Sequence, residues 1–448
     1  MKKMTRGIAA FAAASAVVLA GCSSSDDAET EESTAPETSS TAGGEETAAA
    51  AQDLTMWWMG QEDDTTKMFR EYLQETYSAE NGGELSVEYV GWGDAISALT
   101  TALPDSANTP DVTEVGNTQA ATFTNVGAFL DITDMYEELG GDSLLQGFVE
   151  AGSVGETVYA LPYYFGSRFA WYRKDLYEQG GVEVPTTLAE VTEVHASLKD
   201  QDIAGFYIGG QDWRNGISWV FANGGDIATY DGSSWTAALS SPEAISGMEQ
   251  WQELFETAGV AQVTDTDEVF NAINDEMLQG LPAAAQMAPN WAGCCIGPLT
   301  GEDADGNPAP VWDDAVNGFY ALPGADGGVA PVFAGGSNIA ISAASQNVDG
   351  AKQLMGIIFS DEYQTLLAEN GFGPANTEFG DIYAGLAPQN EVALETAESA
   401  KLTPAAKGWA AIEEQQILEQ YFQAVAEGGD VTALAAEYDE KINQLING

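Results

Sequence analysis

The sequence predicts an α/β protein of two lobes, and three observations predict it. Short strand-like runs rich in β-branched and aromatic residues alternate with longer amphipathic stretches, the pattern of a mainly parallel sheet covered by helices. The roughly 396 residues from Asp53 onward exceed what one hydrophobic core usually holds, and 44% hydrophobic and 10% aromatic residues supply apolar surface for two. Gly155–Asp175 reads GETVYALPYYFGSRFAWYRKD, an extended aromatic run interrupted by Pro162 and Gly166. Pro and Gly inside such a run mark a strand that bends or crosses between two sheets.

At the N-terminus, Lys2, Lys3 and Arg6 precede the apolar run Gly7–Ala20, so residues 1–21 read as a targeting segment outside the fold. The run is too short to span a bilayer comfortably. It ends in Leu19-Ala20-Gly21-Cys22, which resembles a bacterial lipobox and implies a lipid-modified Cys22. An ordinary secretory signal with an incidental cysteine is the alternative. Ser23–Gln52 contains no aromatic residue and no aliphatic residue larger than alanine. Too little apolar surface is available to offset ordering entropy, so 22–52 is expected to be a disordered acidic tether.

The chain carries 70 acids and 14 bases. Removing the targeting segment takes three bases and leaves 11 against 70, a net charge of −59. Such a surface excludes nucleic acid as a partner and reads as solvated acidic exterior.

The folded part opens with the strand Leu54–Met59. A helix follows, with Met68, Phe69, Tyr72, Leu73 and Thr76 along one side. Leu85–Val90 is the second strand, broken by Gly91-Trp92-Gly93, and Asp94 caps the next helix. Pro110–Asn117 is strand, then turn. Ligands of parallel sheets gather at strand carboxyl ends, here Trp57–Glu62, Gly91–Asp94 and Gly116–Gln119. Thr187–Asp200 is helical by the spacing of Leu188, Val191, Val194 and Leu198. It holds the sole histidine, His195, expected to be solvated beside that stripe; no Ser-His-Asp or Cys-His machinery is implied, nor zinc-type ligand spacing. Ile203–Ile208 reads as strand and Trp213–Gly225 as helix. Ser241-Pro242 starts a helix that buries Ile245, Met248, Trp251 and Phe255. Asn347–Phe359 and Asp361–Asn370 are paired helices, the second stopped at Gly371. Glu391–Lys401, Ala405–Glu427 and Val431–Ile446 complete a helical tail.

Val154–Val191, VGETVYALPYYFGSRFAWYRKDLYEQGGVEVPTTLAEV, resembles the hinge segment of extracellular solute-binding proteins of family 1, sugar-binding lipoproteins of bacterial ABC importers of the maltose-binding type. The resemblance continues in Pro110–Asp134, Ala283–Trp291, Gly318–Pro323, Phe333–Ile341, Asn347–Asn370 and Gly373–Asn376. It implies a two-lobed periplasmic-binding-protein-like fold of type II, with discontinuous lobes joined by hinge crossings. The lobes are expected at 53–164 plus 318–372 and at 165–317 plus 373–448. It further implies a carbohydrate ligand held between lobes that close by hinge motion, no catalysis, no cofactor and no metal. The partners implied are permease subunits of an importer, reached by a monomer anchored outside the cell membrane.

The candidate ligand residues combine rings, which pack against the apolar faces of sugars, with groups that pair with hydroxyls. The rings are Trp57, Trp58, Trp92, Tyr164, Phe165, Trp213 and Trp291, though Trp57 and Trp58, adjacent in a strand, face opposite ways. The polar set is Glu62, Asp63, Asp94, Asn117, Gln119, Asp212, Asn290 and Asn338. Arg168 either forks onto a hydroxyl pair or ligand acid group, or neutralises nearby acids. Gly336 and Ser337 offer backbone N–H groups, but no helix N-terminus or Lys follows to make a phosphate cradle. A non-sugar solute such as a polyol, peptide or amino-acid derivative is the alternative ligand, and a glycoside hydrolase with paired carboxylates is the rival from another class. Cys294 and Cys295 are the remaining cysteines. Outside the cytosol they are expected to form a vicinal disulfide, with two reduced thiols acting as small hydrophobes as the alternative.

Overall fold

A computed structural model describes residues 51–274, 281–302 and 306–448, apart from the side chain of Cys294. The targeting segment, Cys22, almost all of the tether and the Cys294–Cys295 pairing therefore lie outside the described residues. The tether stops short of its expected end. Gln52 donates its N–H to Asn81 Oδ1 at 2.8 Å, its carbonyl accepts from the Tyr77 hydroxyl at 2.7 Å, and its Oε1 accepts from the Gly350 N–H at 2.6 Å. The folded body has begun by that residue.

Ten strands carry the two lobes: β1 (Leu54–Met59), β2 (Leu85–Val90), β3 (Val112–Gly116), β4 (Ala160–Gly166), β5 (Arg168–Arg173), β6 (Phe206–Tyr207), β7 (Ala285–Pro289), β8 (Asn317–Tyr320), β9 (Gly335–Ile341) and β10 (Gly373–Pro374). The first sheet runs β10-β4-β9-β3-β1-β2 and the second β8-β5-β7-β6. β1 pairs in parallel with β2 and β3, and β9 returns antiparallel between β3 and β4.

Strand period decides what is buried. Leu54, Met56 and Trp58 share one face of β1 and meet Phe69, Leu73 and Tyr77 of the helix Asp64–Asn81. Trp58 lies flat on Phe69 (centroids 6.2 Å apart, planes 5° apart) and edge-on to Tyr163. It is a core ring, only 1% exposed, and no solute reaches it. The second lobe buries Trp213, Trp219, Trp251 and Trp409 in one cluster with Phe422 and Tyr421, so Trp251 is core as its spacing predicts.

The chain passes between the sheets three times. The first crossing is at Gly166–Ser167, between β4 and β5. The second falls between Tyr320 and Gly335 and not at 318, because β8 pairs with β5 in the second sheet. Gly318 fits there by lacking a Cβ, which would lie 2.4 Å from the Tyr172 ring. The third follows Pro374, since β10 still pairs with β4. The expected helix Ala405–Glu427 is two helices, Trp409–Glu414 and Ile417–Ala426. Gln416 between them stands at φ +52, a left-handed conformation that ends helical propagation.

Two buried titratable groups stand out. His195 is fully buried, against its expected solvation. Its Nδ1 lies 2.6 Å from the Val191 carbonyl and its Nε2 lies 2.8 Å from the Tyr177 hydroxyl. This pairs an Nδ1–H donor with an Nε2 acceptor, and burial lowers its pKa to about 4. Glu114 of β3 is fully buried too, and accepts from the Met59 N–H at 2.9 Å and the Tyr164 hydroxyl at 2.6 Å. Burial raises its pKa to about 7 despite these bonds.

Two predictions follow from this packing. Trp58→Ala and Trp251→Ala should each lose about 3–5 kcal/mol in denaturant unfolding, as other large buried aromatics do. Between pH 4.5 and 7 native Glu114 holds a proton that the unfolded chain has released, so its contribution to stability falls as pH rises through that window. Glu114→Gln should remove that slope. Its melting temperature relative to the parent should climb from pH 4.5 to 7, worth up to about 3 kcal/mol, and an unchanged difference would place the proton elsewhere.

Candidate functional site

A cavity of about 600 Å³ opens where the carboxyl ends of β2, β3 and β4 meet the start of β5 and the end of β7. Its walls come from both lobes. The first sheet contributes Trp92 after β2, Gly116–Gln119 after β3, Tyr164–Gly166 at the end of β4, and Gly335 and Gly336 of β9. The second lobe contributes Arg168 at the start of β5, Arg214, Asp267, and Asn290 and Trp291 after β7. Phe333 lines it from the second crossing, and Phe372 from the first lobe just before β10. A hollow of about 740 Å³ lies elsewhere, beside Tyr136, Tyr230 and Trp235, but away from the strand ends of the two main sheets and from the crossings.

Trp92 and Trp291 are 46% and 56% exposed, unusual for rings of that size. Trp291 is steadied edge-on by Phe270, with centroids 4.8 Å apart. Tyr164 is locked by its bond to Glu114. Asn290 serves the crossing: its Oδ1 accepts from the Ser167 N–H at 2.9 Å while its Nδ2 donates to Tyr383 Oη at 2.9 Å. Asn117 donates to the Ala334 carbonyl at 3.2 Å.

Among the described residues, the charged groups on the wall are Arg168, Arg214 and Asp267. Arg214 lies over the Trp213 ring and faces Asp267 at 3.5 Å, with Glu413 and Glu419 at about 4 Å. Burial raises the pKa of both glutamates. Arg168 is buried above the Phe333 ring, 4.8 Å from its centroid, and burial lowers its pKa to about 10.

Of the residues singled out from sequence, the cavity brings together Trp92, Asn117, Gln119, Tyr164, Phe165, Arg168, Asn290, Trp291 and Gly336. The others lie elsewhere for identifiable reasons. Trp58 is core. Trp57 donates its indole N–H to Glu88 and, with Asp94, lines a separate shallow hollow. Asp63 caps the helix Asp64–Asn81, accepting from the N–H groups of Thr65 and Thr66 while the Thr66 hydroxyl accepts from its own N–H. Glu62 pairs with Arg70. Asp212 caps the helix Trp213–Ala222 through Asn215, and burial, then Asp267, raises its pKa to about 7. Trp213 is buried and donates to Glu419 at 3.0 Å. Ser337 and Asn338 are fully buried, Asn338 donating to the Phe148 carbonyl at 2.9 Å. Thr118, Arg214, Asp267, Phe333 and Phe372 were not singled out. Arg214 lies in the stretch read as the helix Trp213–Gly225 and Phe333 opens a stretch that carries the family resemblance, but nothing local marks Asp267.

Comparison with known proteins agrees with this architecture. The sequence profile of the family described as bacterial extracellular solute-binding protein matches residues 60–365. The diacetylchitobiose binding protein DasA of Streptomyces coelicolor is 27% identical over 385 residues, 84% of this chain and 85% of that protein. A mannitol-binding protein of Pseudomonas aeruginosa is 24% identical, over 66% of this chain and 68% of its own. Among solved structures, the GacH receptor of Streptomyces glaucescens superposes with a TM-score of 0.70 at 19% identity, covering 88% of this chain and 98% of that one. The cyclic alpha-maltosyl-1,6-maltose binding protein of Arthrobacter globiformis superposes with a TM-score of 0.72 at 16% identity, covering 89% and 100%. With more than half of its length matched, and two lobes joined by three crossings around a cavity, this chain belongs to the bacterial extracellular solute-binding protein family.

Proposed function

We propose that the protein is the lipid-anchored binding subunit of an ABC import system, capturing a mono- or oligosaccharide in this cavity by hinge closure of the lobes. The observation that carries the reading is the pair of exposed rings, Trp92 and Trp291, on walls contributed by different lobes. Exposed indoles cost hydration free energy unless a partner covers them, and a sugar offers an apolar C–H face with hydroxyls at its edge. Asn117, Gln119 and Arg214 supply hydroxyl partners nearby, and the volume is within the range of small-ligand pockets. The relative named for diacetylchitobiose, the GacH receptor solved in complex with acarbose, and the protein named for cyclic alpha-maltosyl-1,6-maltose support a saccharide. The mannitol-binding relative supports a polyol as second reading.

Glycoside hydrolysis is the poorer fit. It needs two carboxylates flanking one bond, and among the described residues lining the cavity Asp267 is the one carboxylate. Import also agrees with the lipobox-like Leu19–Cys22 ahead of an acidic stretch.

A thermal-shift screen over sugars and polyols should find a ligand, since one at 100 times its Kd adds about 2.7 kcal/mol. That ligand should alter tryptophan emission and compact the molecule in solution scattering. Trp92→Ala and Trp291→Ala should each weaken it at least about tenfold, roughly 1.4 kcal/mol, while Trp251→Ala lowers stability and leaves affinity unchanged. Equal affinities in all three variants would remove the cavity from the reading. Cys22→Ser should release the protein from membranes or block its processing; a wild-type protein found soluble with an unmodified N-terminus would remove the anchor.

A further inference from the structure

Arg168 is the unmatched charge of the cavity. Its residue is 6% exposed, yet it lines the cavity wall. A guanidinium has five N–H donors. Here Nη1 reaches the Phe333 carbonyl at 3.5 Å, the limit of a hydrogen bond, and Nε meets no acceptor. Among the described residues no carboxylate pairs with it within 4.0 Å, whereas Arg214 has three within that distance. Asp212 and Asp267 act on it only through space, and Asp212 accepts from Asn215 with both oxygens. Carboxylates are not scarce in a chain with 70 acids. Buried cations are normally paired, so a lone one facing a cavity leaves its partner to be supplied by whatever enters.

Resting on the solute-binding reading above, we propose that Arg168 receives a carboxylate of the ligand, and that the solute is an acidic saccharide or sugar acid. A carboxylate matches the planar fork of a guanidinium with two parallel bonds and cancels its charge. A neutral diol accepts bonds but leaves the buried charge uncancelled. The acidic exterior does not oppose this strongly, because exposed charges are screened beyond about 8 Å at physiological salt, while Arg168 lies inside the wall.

The test is calorimetric titration of the full chain with glucuronic and galacturonic acids and their disaccharides, each beside its neutral parent sugar. The acid should bind at least about 30-fold more tightly than its parent, the lower range for losing a buried charge partner. Arg168→Met should abolish that preference, and Arg168→Lys, which keeps the charge without the fork, should fall between. The melting temperature of ligand-free Arg168→Met should equal or exceed the parent's, since an unpaired buried cation is removed. A lower melting temperature with the acid preference retained would make Arg168 a tie between crossings and overturn the proposal. Neutral sugars binding as well as their acids would overturn it too, leaving the solute-binding reading intact. A panel in which neither acids nor neutral sugars bind would overturn it as well, and the solute-binding reading would fall only if the wider screen of sugars and polyols also found no ligand.

Discussion

The peptide at Ser167 is the constraint on which the rest of the molecule turns. Strand residues satisfy their backbone groups through neighbours in a sheet, but a residue leaving one sheet for another has no such neighbour, and buried N–H and C=O groups left unpaired are costly. Ser167 is fully buried. Asn290 meets its need from both sides, accepting the Ser167 N–H at 2.9 Å with its side chain and donating its own N–H to the Ser167 carbonyl at 2.8 Å. The Ser167 hydroxyl donates to Thr396 at 2.7 Å. A single residue thereby ties the crossing to the turn that presents Trp291, so a change of angle between the sheets is felt directly at the cavity wall.

The charge distribution separates two roles. Most of the few bases sit in surface pairs, such as Arg70 with Glu62, Arg173 with Asp175 and Lys352 with Asp134, each worth little because solvent screens them. Stability comes instead from two aromatic cores, one around Trp58 and one around Trp251. The buried carboxyls Glu114 and Asp212, both raised to about 7 by burial, lie next to cavity residues and are shared with them: Glu114 holds Tyr164 and Asp212 starts the helix carrying Arg214. These two buried carboxyls thus sit beside the cavity and orient its wall, whereas buried His195 lies away from it, held by Tyr177 and Val191.

Legibility in the sequence followed the range of the interactions. Strands and helices rest on periods of two and 3.6, which a few neighbouring residues display, so β1, β2 and the helices flanking them could be read directly. Strand ends also located Trp92, Asn117 and Gln119. Trp57 and Trp58 show the limit, because alternation says that one faces inward and only the position of the helix Asp64–Asn81 says which. Asp63 and Asp212 have the chemistry of ligand groups but are both helix caps, and Asp63 with Thr66 three residues on is a capping pattern visible in the chain. Asp267 and Phe372 reach the cavity from segments far apart in sequence, and no local pattern encodes such an encounter. The domain limits slipped at 318 for a similar reason: the pairing of β8 with β5 is a long-range choice.

The glycines near the crossings carry the last step. Gly335-Gly336-Ser337 offers backbone donors by composition, but its geometry serves close packing. Gly336 stands at φ +130, and a Cβ there would lie 2.4 Å from the Tyr164 carbonyl; at Gly373 it would lie 2.8 Å from the Phe165 ring. Bare backbone lets β9 and β10 press against β4 from either side, which buries Ser337 and Asn338 beneath the floor and leaves the space above it open. The cavity therefore owes its volume to absent side chains on three adjoining strands, and its character to the rings and the arginine that project over them.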